Sequence, residues 1–191
     1  MNRESLTDQE LVNLTIKNRD QKAFGILYDR YHLKIYSKCI SFTKSQEEAE
    51  DLCHDIFIKI LLKLSTYKSE STFYTWIYAI TYNSCVDYAK KKSKIRNIDF
   101  DSDEIDSERL KVFHSDSEKN LMSIQAEELQ EVLEQLKPED KMILLLKYQD
   151  DLSIEKLQEV FTLGKSAVKM RLLRARERAL KIHKLQNNKS S

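Results

Sequence analysis

The sequence predicts an all-α protein that consists of two small helical domains. Its 191 residues include only 2 Gly and 1 Pro, with 41% hydrophobic residues and abundant Lys, Glu, Leu and Ile. Apolar residues recur every three or four positions along most of the chain, as amphipathic helices require. The pattern fails over residues 97–118, which carry eight acids against Arg109 and Lys111. We expect this acidic linker to join a domain at 1–96 to a second domain at 119–187, with four helices in each.

The first three helices have recognisable starts. Thr7 opens the first helix, with Glu10 completing a capping box, and a second helix is expected over about residues 21–43. Ser45 and Glu48 form another capping box. The third helix then carries a wide apolar stripe that must be buried, which comprises Ala49, Leu52, Cys53, Ile56, Phe57, Ile60, Leu61 and Leu64.

The opposite face of the third helix is acidic. It bears Glu47, Glu48, Asp51, His54, Asp55 and Ile58. Such a face is either a solvated helix surface or a docking surface for a basic partner. Spacing alone does not decide between the two, and nothing nearby supplies a pocket, a nucleophile or a phosphate loop that would indicate acid–base chemistry.

The fourth helix combines many aromatic rings with a basic end. Thr72 is a plausible cap, and five basic residues follow between Lys90 and Arg96. The core stripe is expected to contain Trp76, Ile77 and Ile80, and then Asn83 or Ser84 and Val86 or Asp87. Rings beside a basic run can hold single-stranded nucleic acid by stacking on bases. Alternatively, the rings fill the core and the lysines complement the helix dipole.

The second domain begins near Lys119. A long helix is expected over residues 119–136, and Pro138 suits the first turn of the helix that follows it. Asp150 and Asp151 then form a turn. The apolar positions of the long helix are Leu121, Ile124, Leu129, Val132, Leu133 and Leu136.

The last two helices form a helix-turn-helix pattern. Ser153 caps the first of them, with Leu152 and Leu157 spaced as a hydrophobic staple. A tight turn follows at 162–164, and Gly164 is an acceptable N-cap for the final helix. One face of that helix is expected to be buried through Val168, Leu172, Ala175, Ala179 and Ile182.

The final helix is strongly basic. Residues 164–184 contain eight Lys or Arg against the single acid Glu177, in a chain of formal net charge +1. This favours contact with the phosphates of duplex DNA, although a solvated charged helix is the simpler alternative. The N-terminal part of such a helix enters the major groove, so base contacts are expected from Lys165, Ser166, Lys169 and Met170. Phosphate contacts are expected from Arg171, Arg174, Arg176 and Arg178.

Other function classes find little support in the sequence. Cys39, Cys53 and Cys85 form no C-x-x-C pair, which indicates packed, reduced thiols in the cytoplasm rather than a metal site. We identify no nucleophile–base set, so neither an enzyme nor a cofactor is expected. No apolar run approaches the ~20 residues of a membrane span, and the N-terminus is not a targeting peptide.

Three blocks in this order resemble the extracytoplasmic-function (ECF) sigma factors of bacterial RNA polymerase. AEDLCHDIFIKI (49–60) resembles the core-binding helix of the family, and STFYTWIYAITYNSCVDYAKK (71–91) its promoter-melting helix. LSIEKLQEVFTLGKSAVKMRLLRAR (152–176) resembles its helix-turn-helix. The resemblance implies a protein that binds core RNA polymerase and directs promoter recognition and melting, with nucleotide addition left to the polymerase. An anti-sigma factor is a further expected partner.

The resemblance also implies roles for particular residues. Core polymerase contacts are expected from Glu48, Asp51, His54 and Asp55. Contacts to the −10 element as single-stranded DNA are expected from Tyr67, Lys68, Ser69, Phe73, Tyr74, Tyr78, Lys90 and Lys91. The helix-turn-helix residues named above would read the −35 element as duplex, and the acidic linker would lie in the RNA path of the polymerase.

The chain departs from the family pattern at several positions. Ala79, Tyr82 and Ser84 replace arginines of the melting helix, which would move phosphate contacts to residues 90–94. His54 stands where Gln is usual, a change that could weaken core docking or make it depend on pH. Gln158 replaces a small Ala and Thr162 replaces the turn Gly, for which Gly164 is expected to compensate. The alternative function is a stand-alone helix-turn-helix regulator, which would bind duplex DNA tightly without polymerase.

Overall fold

The computed structural model describes residues 3–43, 45–95 and 116–188, and the regular structure of these ranges is entirely helical, as predicted. The chain divides into two units, Met1–Lys91 and Lys92–Ser191. Most of the predicted acidic linker lies outside the described residues. No helix in the described ranges is both long enough and apolar enough to cross a membrane. The α-helices are α1 (Asp8–Asn18), α2 (Gln21–Phe42), α3 (Gln46–Lys63), α4 (Phe73–Ile95), α5 (Asp116–Met122), α6 (Ala126–Gln135), α7 (Pro138–Leu144), α8 (Ile154–Phe161) and α9 (Lys165–Asn187).

Side-chain caps define the helix starts of the first unit. Thr7 and Glu10 form the reciprocal capping box predicted for α1. The Asp20 carboxylate accepts hydrogen bonds from two backbone N–H groups at the start of α2, and Ser45 accepts one from the Glu48 N–H at the start of α3. Each cap satisfies N–H groups that have no partner within the helix.

The core of the first unit lies where α2, α3 and α4 meet. Cys39, Cys53 and Cys85, one from each helix, are all buried as free thiols. A hydrogen bond with Cys39 and burial both raise the pKa of the Cys53 thiol, so this sulfur remains protonated. The three cysteines therefore behave as packing residues, as the sequence analysis predicted.

The packing of α4 resolves the alternatives left open for its rotation. Ser84 and Val86 are buried, whereas Asn83 and Asp87 are exposed. Trp76 and Ile80, predicted as core, are only half-buried. The stripe that faces inward instead consists of Phe73, Thr75, Ile77, Tyr78, Thr81, Ser84, Cys85 and Val86.

From residue 116 to residue 188, the second unit contains five α-helices, one more than predicted. The expected helix over 119–136 is divided by a turn in which the Ile124 N–H donates to the Leu121 carbonyl and the Ser123 hydroxyl donates to the Asn120 carbonyl. A serine hydroxyl that bonds to the local backbone competes with helix continuation. The first of the two helices, α5, begins at Asp116, inside the predicted linker.

The helix-turn-helix has its predicted caps, but its turn differs from expectation. Ser153 accepts a hydrogen bond from the Lys156 N–H, and Gly164 is the N-cap of α9. Gly164 does not compensate for the missing turn glycine, because its φ is −68°. Thr162 itself adopts the left-handed conformation, with φ 54° and ψ 44°. A β-branched residue in this region carries backbone strain.

Thr162→Gly is expected to stabilise the second unit by about 1 kcal/mol, because glycine adopts the left-handed conformation without a Cβ clash. For a unit of this size, that change raises the midpoint of thermal unfolding by roughly 5 °C. Circular dichroism of the full chain measures it. Thr162→Ala is the matched control: it keeps a Cβ in the same conformation, so an equal gain from alanine would contradict the explanation.

Candidate nucleic-acid interface and docking face

The N-terminal half of α9 presents an exposed polar and basic surface. Its underside is buried through Val168, Leu172, Leu173, Ala175 and Ala179, which fix the rotation of the helix. Of the six residues in its first ten positions that were predicted to meet DNA, four are exposed and two are half-buried. The exposed ones are Lys165, Ser166, Lys169 and Arg174, and the half-buried ones are Met170 and Arg171.

Two contacts orient side chains on this surface. The Arg171 guanidinium lies over the Phe161 ring of α8, with 4.8 Å from its carbon to the ring centroid. The Lys165 ammonium is 3.3 Å from Glu155 Oε1, also on α8. Both partners of the second pair are exposed, so the ion pair is screened by solvent and adds little stability. Lys165 can therefore exchange Glu155 for a phosphate at small cost.

Arg176, predicted as a phosphate contact, belongs instead to the interior. Arg176 is only 7% exposed. Its Nε donates to the Leu172 carbonyl at 3.3 Å, and its Nη1 is 3.6 Å from Glu118 Oε2. The Tyr148 hydroxyl donates to the other oxygen of Glu118 at 3.1 Å, and burial raises the pKa of Tyr148 to about 12. Arg176 thus joins α9 to α5, which corrects the prediction.

Arg178 is a second correction. Its Nη1 lies 2.5 Å from Asp140 Oδ2, and Asp140 on α7 is buried, with 4% of its surface exposed. A buried carboxylate needs a partner, because removing its charge from water is costly. Arg178 therefore neutralises Asp140 and fixes α9 to α7. In the N-terminal half of α9 the exposed positive charge lies at Lys165, Lys169 and Arg174, and Lys181 and Lys184 are exposed near its end.

A second candidate surface is the segment between α3 and α4. The Tyr67 ring packs against Phe73 and Trp76, with centroids 5.5 and 5.4 Å away, and the Tyr67 hydroxyl donates to the Ser71 carbonyl at 2.8 Å. Lys68 and Ser69 are exposed. Residues 67–72, which we call the α3–α4 loop, are thus supported by aromatic packing.

The predicted −10 residues on α4 divide into two groups. Phe73 and Tyr78 are buried, Tyr78 completely, so both are corrected from DNA contacts to core residues. Tyr74 is half-buried, with Lys34 Nζ 5.4 Å from its ring centroid, and Lys90 and Lys91 are exposed. Core filling therefore accounts for two of the rings, while Tyr74 and the basic end remain at the surface.

The predicted docking face on α3 is exposed at Asp51, His54 and Asp55. Glu48 is half-buried, and its Oε2 accepts a hydrogen bond from the Tyr88 hydroxyl at 2.8 Å. Glu48 therefore links α3 to α4 through one carboxylate oxygen, and its predicted contact with the polymerase stays a prediction.

Two apolar residues near the end of α3 are exposed, and the second of them belongs to the docking face. Leu61, predicted to be buried, is 48% exposed, and Leu62 is 75% exposed. The helical period could have found Leu62, since residues 51, 55, 58 and 62 follow the i, i+4, i+7, i+11 spacing of one face. We call Asp51, His54, Asp55, Ile58 and Leu62 the α3 face.

Comparisons with known families cover most of the chain. The Sigma-70 region 2 family matches residues 27–95, which span α3, α4 and most of α2. The Sigma-70 region 4 family matches residues 126–178. The ECF RNA polymerase sigma-E factor of Escherichia coli strain K12 is 32% identical over 160 residues, which cover 80% of this chain and 81% of that protein. The Haemophilus influenzae protein of the same name is 35% identical over 85 residues, 44% of each chain.

Two solved structures have a similar fold. One is the sigma factor RpoE from Bartonella quintana in complex with the anti-sigma factor NepR, with a TM-score of 0.60 and 18% identity over 85% of this chain and 98% of that one. The other is CnrH in complex with the cytosolic domain of CnrY, with a TM-score of 0.58 and 18% identity over 92% and 96% of the two chains.

Proposed function

The chain belongs to the ECF family of RNA polymerase sigma factors, and on this premise we propose which of its surfaces meet the polymerase and which meet DNA. It is a transcription initiation factor that binds core RNA polymerase and directs promoter recognition and melting. The alternative of a stand-alone regulator is not favoured. The assignments below concern individual residues of this chain.

The −35 element is read by the N-terminal half of α9. The observation that carries this assignment is the exposure of Lys165, Ser166, Lys169 and Arg174 opposite a buried, mainly apolar side of the helix. A helix held in this way can enter the major groove with its first turns and leave its later arginines for packing. Met170 and Arg171 lie on the edge of the same surface.

The −10 element is bound as a single strand by the α3–α4 loop and the first turn of α4. Lys68, Ser69 and Tyr74 offer a cation, a hydroxyl and a partly exposed ring within a short segment. Lys90 and Lys91 supply further positive charge at the other end of α4. Stacking on a ring beside basic side chains suits single-stranded DNA of many sequences.

The polymerase is bound by the α3 face. Its acidic residues suit a basic partner surface, and Leu62 adds an apolar anchor within the same face. This arrangement has the form of a protein interface, in which a desolvated apolar centre is accompanied by polar groups.

Asp55→Lys and Leu62→Ser are each expected to weaken core RNA polymerase binding by about tenfold or more, the first through charge repulsion and the second through loss of a buried anchor. Fluorescence anisotropy of the labelled chain titrated with core enzyme measures the affinity. Asp29→Lys makes the same charge change at an exposed position of α2 and serves as the control. Equal losses in Asp29→Lys and Asp55→Lys would contradict the assignment to the α3 face.

Three further properties belong to the same proposal. The chain carries no reaction itself, since nucleotide addition belongs to the polymerase that it joins. It acts in the cytoplasm, where that polymerase meets the chromosome. An anti-sigma factor holds it inactive, a proposal supported by the two similar structures, which are complexes of sigma factors with anti-sigma factors.

The proposed function is tested by run-off transcription with core RNA polymerase and genomic template, followed by sequencing of the transcript starts. Defined start sites that depend on the chain are expected. A gel shift on the promoters found should be weak with the chain alone and strong with core enzyme. Tight duplex binding without core enzyme, and no dependent transcription, would overturn the proposal in favour of the stand-alone regulator.

A further inference from the structure

We propose that the first turn of α1 positions the α3–α4 loop for the −10 strand, with Gln9 acting through Ser69 as a positioning residue. The inference rests on the proposed role of that loop in binding the −10 element. Gln9 itself is not proposed to touch DNA.

The start of α1 is firmly attached to α2. Asp8 Oδ1 accepts a hydrogen bond from Arg30 Nη1 at 2.7 Å, and its other oxygen accepts one from the Tyr31 hydroxyl. Arg30 Nη2 also donates to the carbonyls of Glu4 and Leu6, at 2.8 and 2.7 Å. An arginine that binds a carboxylate with one terminal nitrogen and two backbone carbonyls with the other fixes the geometry more strongly than a single ion pair. The residue next to Asp8 therefore has a well-defined position.

That next residue reaches the α3–α4 loop. Gln9 Oε1 accepts a hydrogen bond from the Ser69 hydroxyl at 2.7 Å, across sixty residues of sequence. Ser69 adopts the left-handed conformation, with φ 62°. Because an L-residue pays a steric penalty there, an added side-chain hydrogen bond stabilises a conformation that the backbone alone disfavours.

Tyr67 joins the same cluster. Burial raises the pKa of Tyr67, a hydrogen bond with Ser69 lowers it, and the nearby charge of Asp8 raises it. The Tyr67 hydroxyl also donates to the Ser71 carbonyl at 2.8 Å.

These contacts hold both neighbours of Lys68. Tyr67 is fixed by ring packing, and Ser69 by Gln9, while Lys68 between them is exposed. A loop held in its binding conformation before DNA arrives loses less conformational freedom on binding, which increases affinity without a new contact. The first turn of α1 thus supports the −10 surface without contacting DNA. It lies outside the Sigma-70 region 2 match, which begins at residue 27.

The test compares Gln9→Ala, Ser69→Gly and the double variant as holoenzymes with core RNA polymerase. The probe is a fluorescein-labelled non-template single strand from the −10 region of a promoter mapped by run-off transcription. Gln9→Ala is expected to weaken this binding by up to about fivefold, the value of one hydrogen bond. In a chain that already carries Ser69→Gly, Gln9→Ala should cause no further loss of affinity for the single strand. Affinities for core enzyme and for −35 duplex should not change.

Two variants complete the design. Asn18→Ala, at the far end of α1, should bind the single strand like the unmodified chain. Lys68→Ala should weaken it, which tests the proposed role of the loop independently. Normal binding by Gln9→Ala beside weakened binding by Lys68→Ala would overturn the positioning role alone. Normal binding by both would overturn the role of the loop as well. An effect of Gln9→Ala that persists in the Ser69→Gly background would show that Gln9 does not act through Ser69.

Discussion

Reversing the charges of Lys169 and Arg174 with glutamate is expected to abolish promoter-directed transcription and to leave the affinity for core RNA polymerase unchanged. Both side chains are exposed on the N-terminal half of α9, so the substitutions leave the packed underside of the helix intact. The reversals remove an expected base contact at Lys169 and an expected phosphate contact at Arg174, and each places a carboxylate against the DNA. We expect holoenzyme binding to −35 duplex to fall by about 100-fold or more.

The salt dependence of binding provides a second measurement of the same prediction. Loss of the phosphate contact of Arg174 should reduce the slope of log K against log salt by about 1. Lys184→Glu, which makes the same charge change near the end of α9, is the matched control and should retain promoter use. An equal loss in the control would mean that overall charge matters rather than this surface. Loss of core binding together with promoter binding would indicate misfolding.

Arg178→Ala is expected to lower the free energy of unfolding of the second unit by about 3–5 kcal/mol. It is not expected to remove a DNA contact. Arg178 Nη1 lies 2.5 Å from Asp140 Oδ2, and Asp140 is buried. Alanine would leave that carboxylate without its counter-charge in the protein interior, where an unpaired charge is most costly. Urea unfolding of the full chain, followed by circular dichroism, should show the loss as a lower midpoint.

Two comparisons separate this effect from a loss of DNA contacts. Arg174→Ala removes an exposed arginine from the same helix and should change stability by less than about 0.5 kcal/mol. The double variant Asp140→Leu, Arg178→Met removes both charges and should recover much of the lost stability, because apolar replacements of a buried pair are often tolerated. An Arg178→Ala chain of normal stability and reduced −35 affinity would contradict the structural assignment.

Much of the architecture was predictable because it depends on local chemistry. Thr7, Ser45 and Ser153 cap their helices as the sequence predicts, since a cap depends on the side chain and backbone of a few adjacent residues. The three blocks at 49–60, 71–91 and 152–176 likewise led to the family that the comparisons identify. The exposure of the basic residues at the start of α9 was also predictable, because they lie off the apolar stripe of that helix.

The tertiary structure decided which polar residues of a predicted face remain available. Arg176 and Arg178 turn inward because α5 and α7 bring Glu118 and Asp140 to them from 58 and 38 residues away in sequence. Periodicity defines a helix face only to within a turn, and a helix with several neighbours is buried over a wider arc than one stripe. Because periodicity defines a face only to within a turn, it also did not predict that Tyr78 lies in the core and Leu62 at the surface.

The sequence alone therefore determined the helical fold, the order of its functional blocks and the basic character of α9. The structure determined that Arg176 and Arg178 pair with acidic residues of other helices, and that Gln9 supports a loop sixty residues away. The physical reason is that a capping box or an apolar stripe is encoded by residues within one or two turns. A partner for a buried charge or a strained serine comes from whichever distant helix packs beside it.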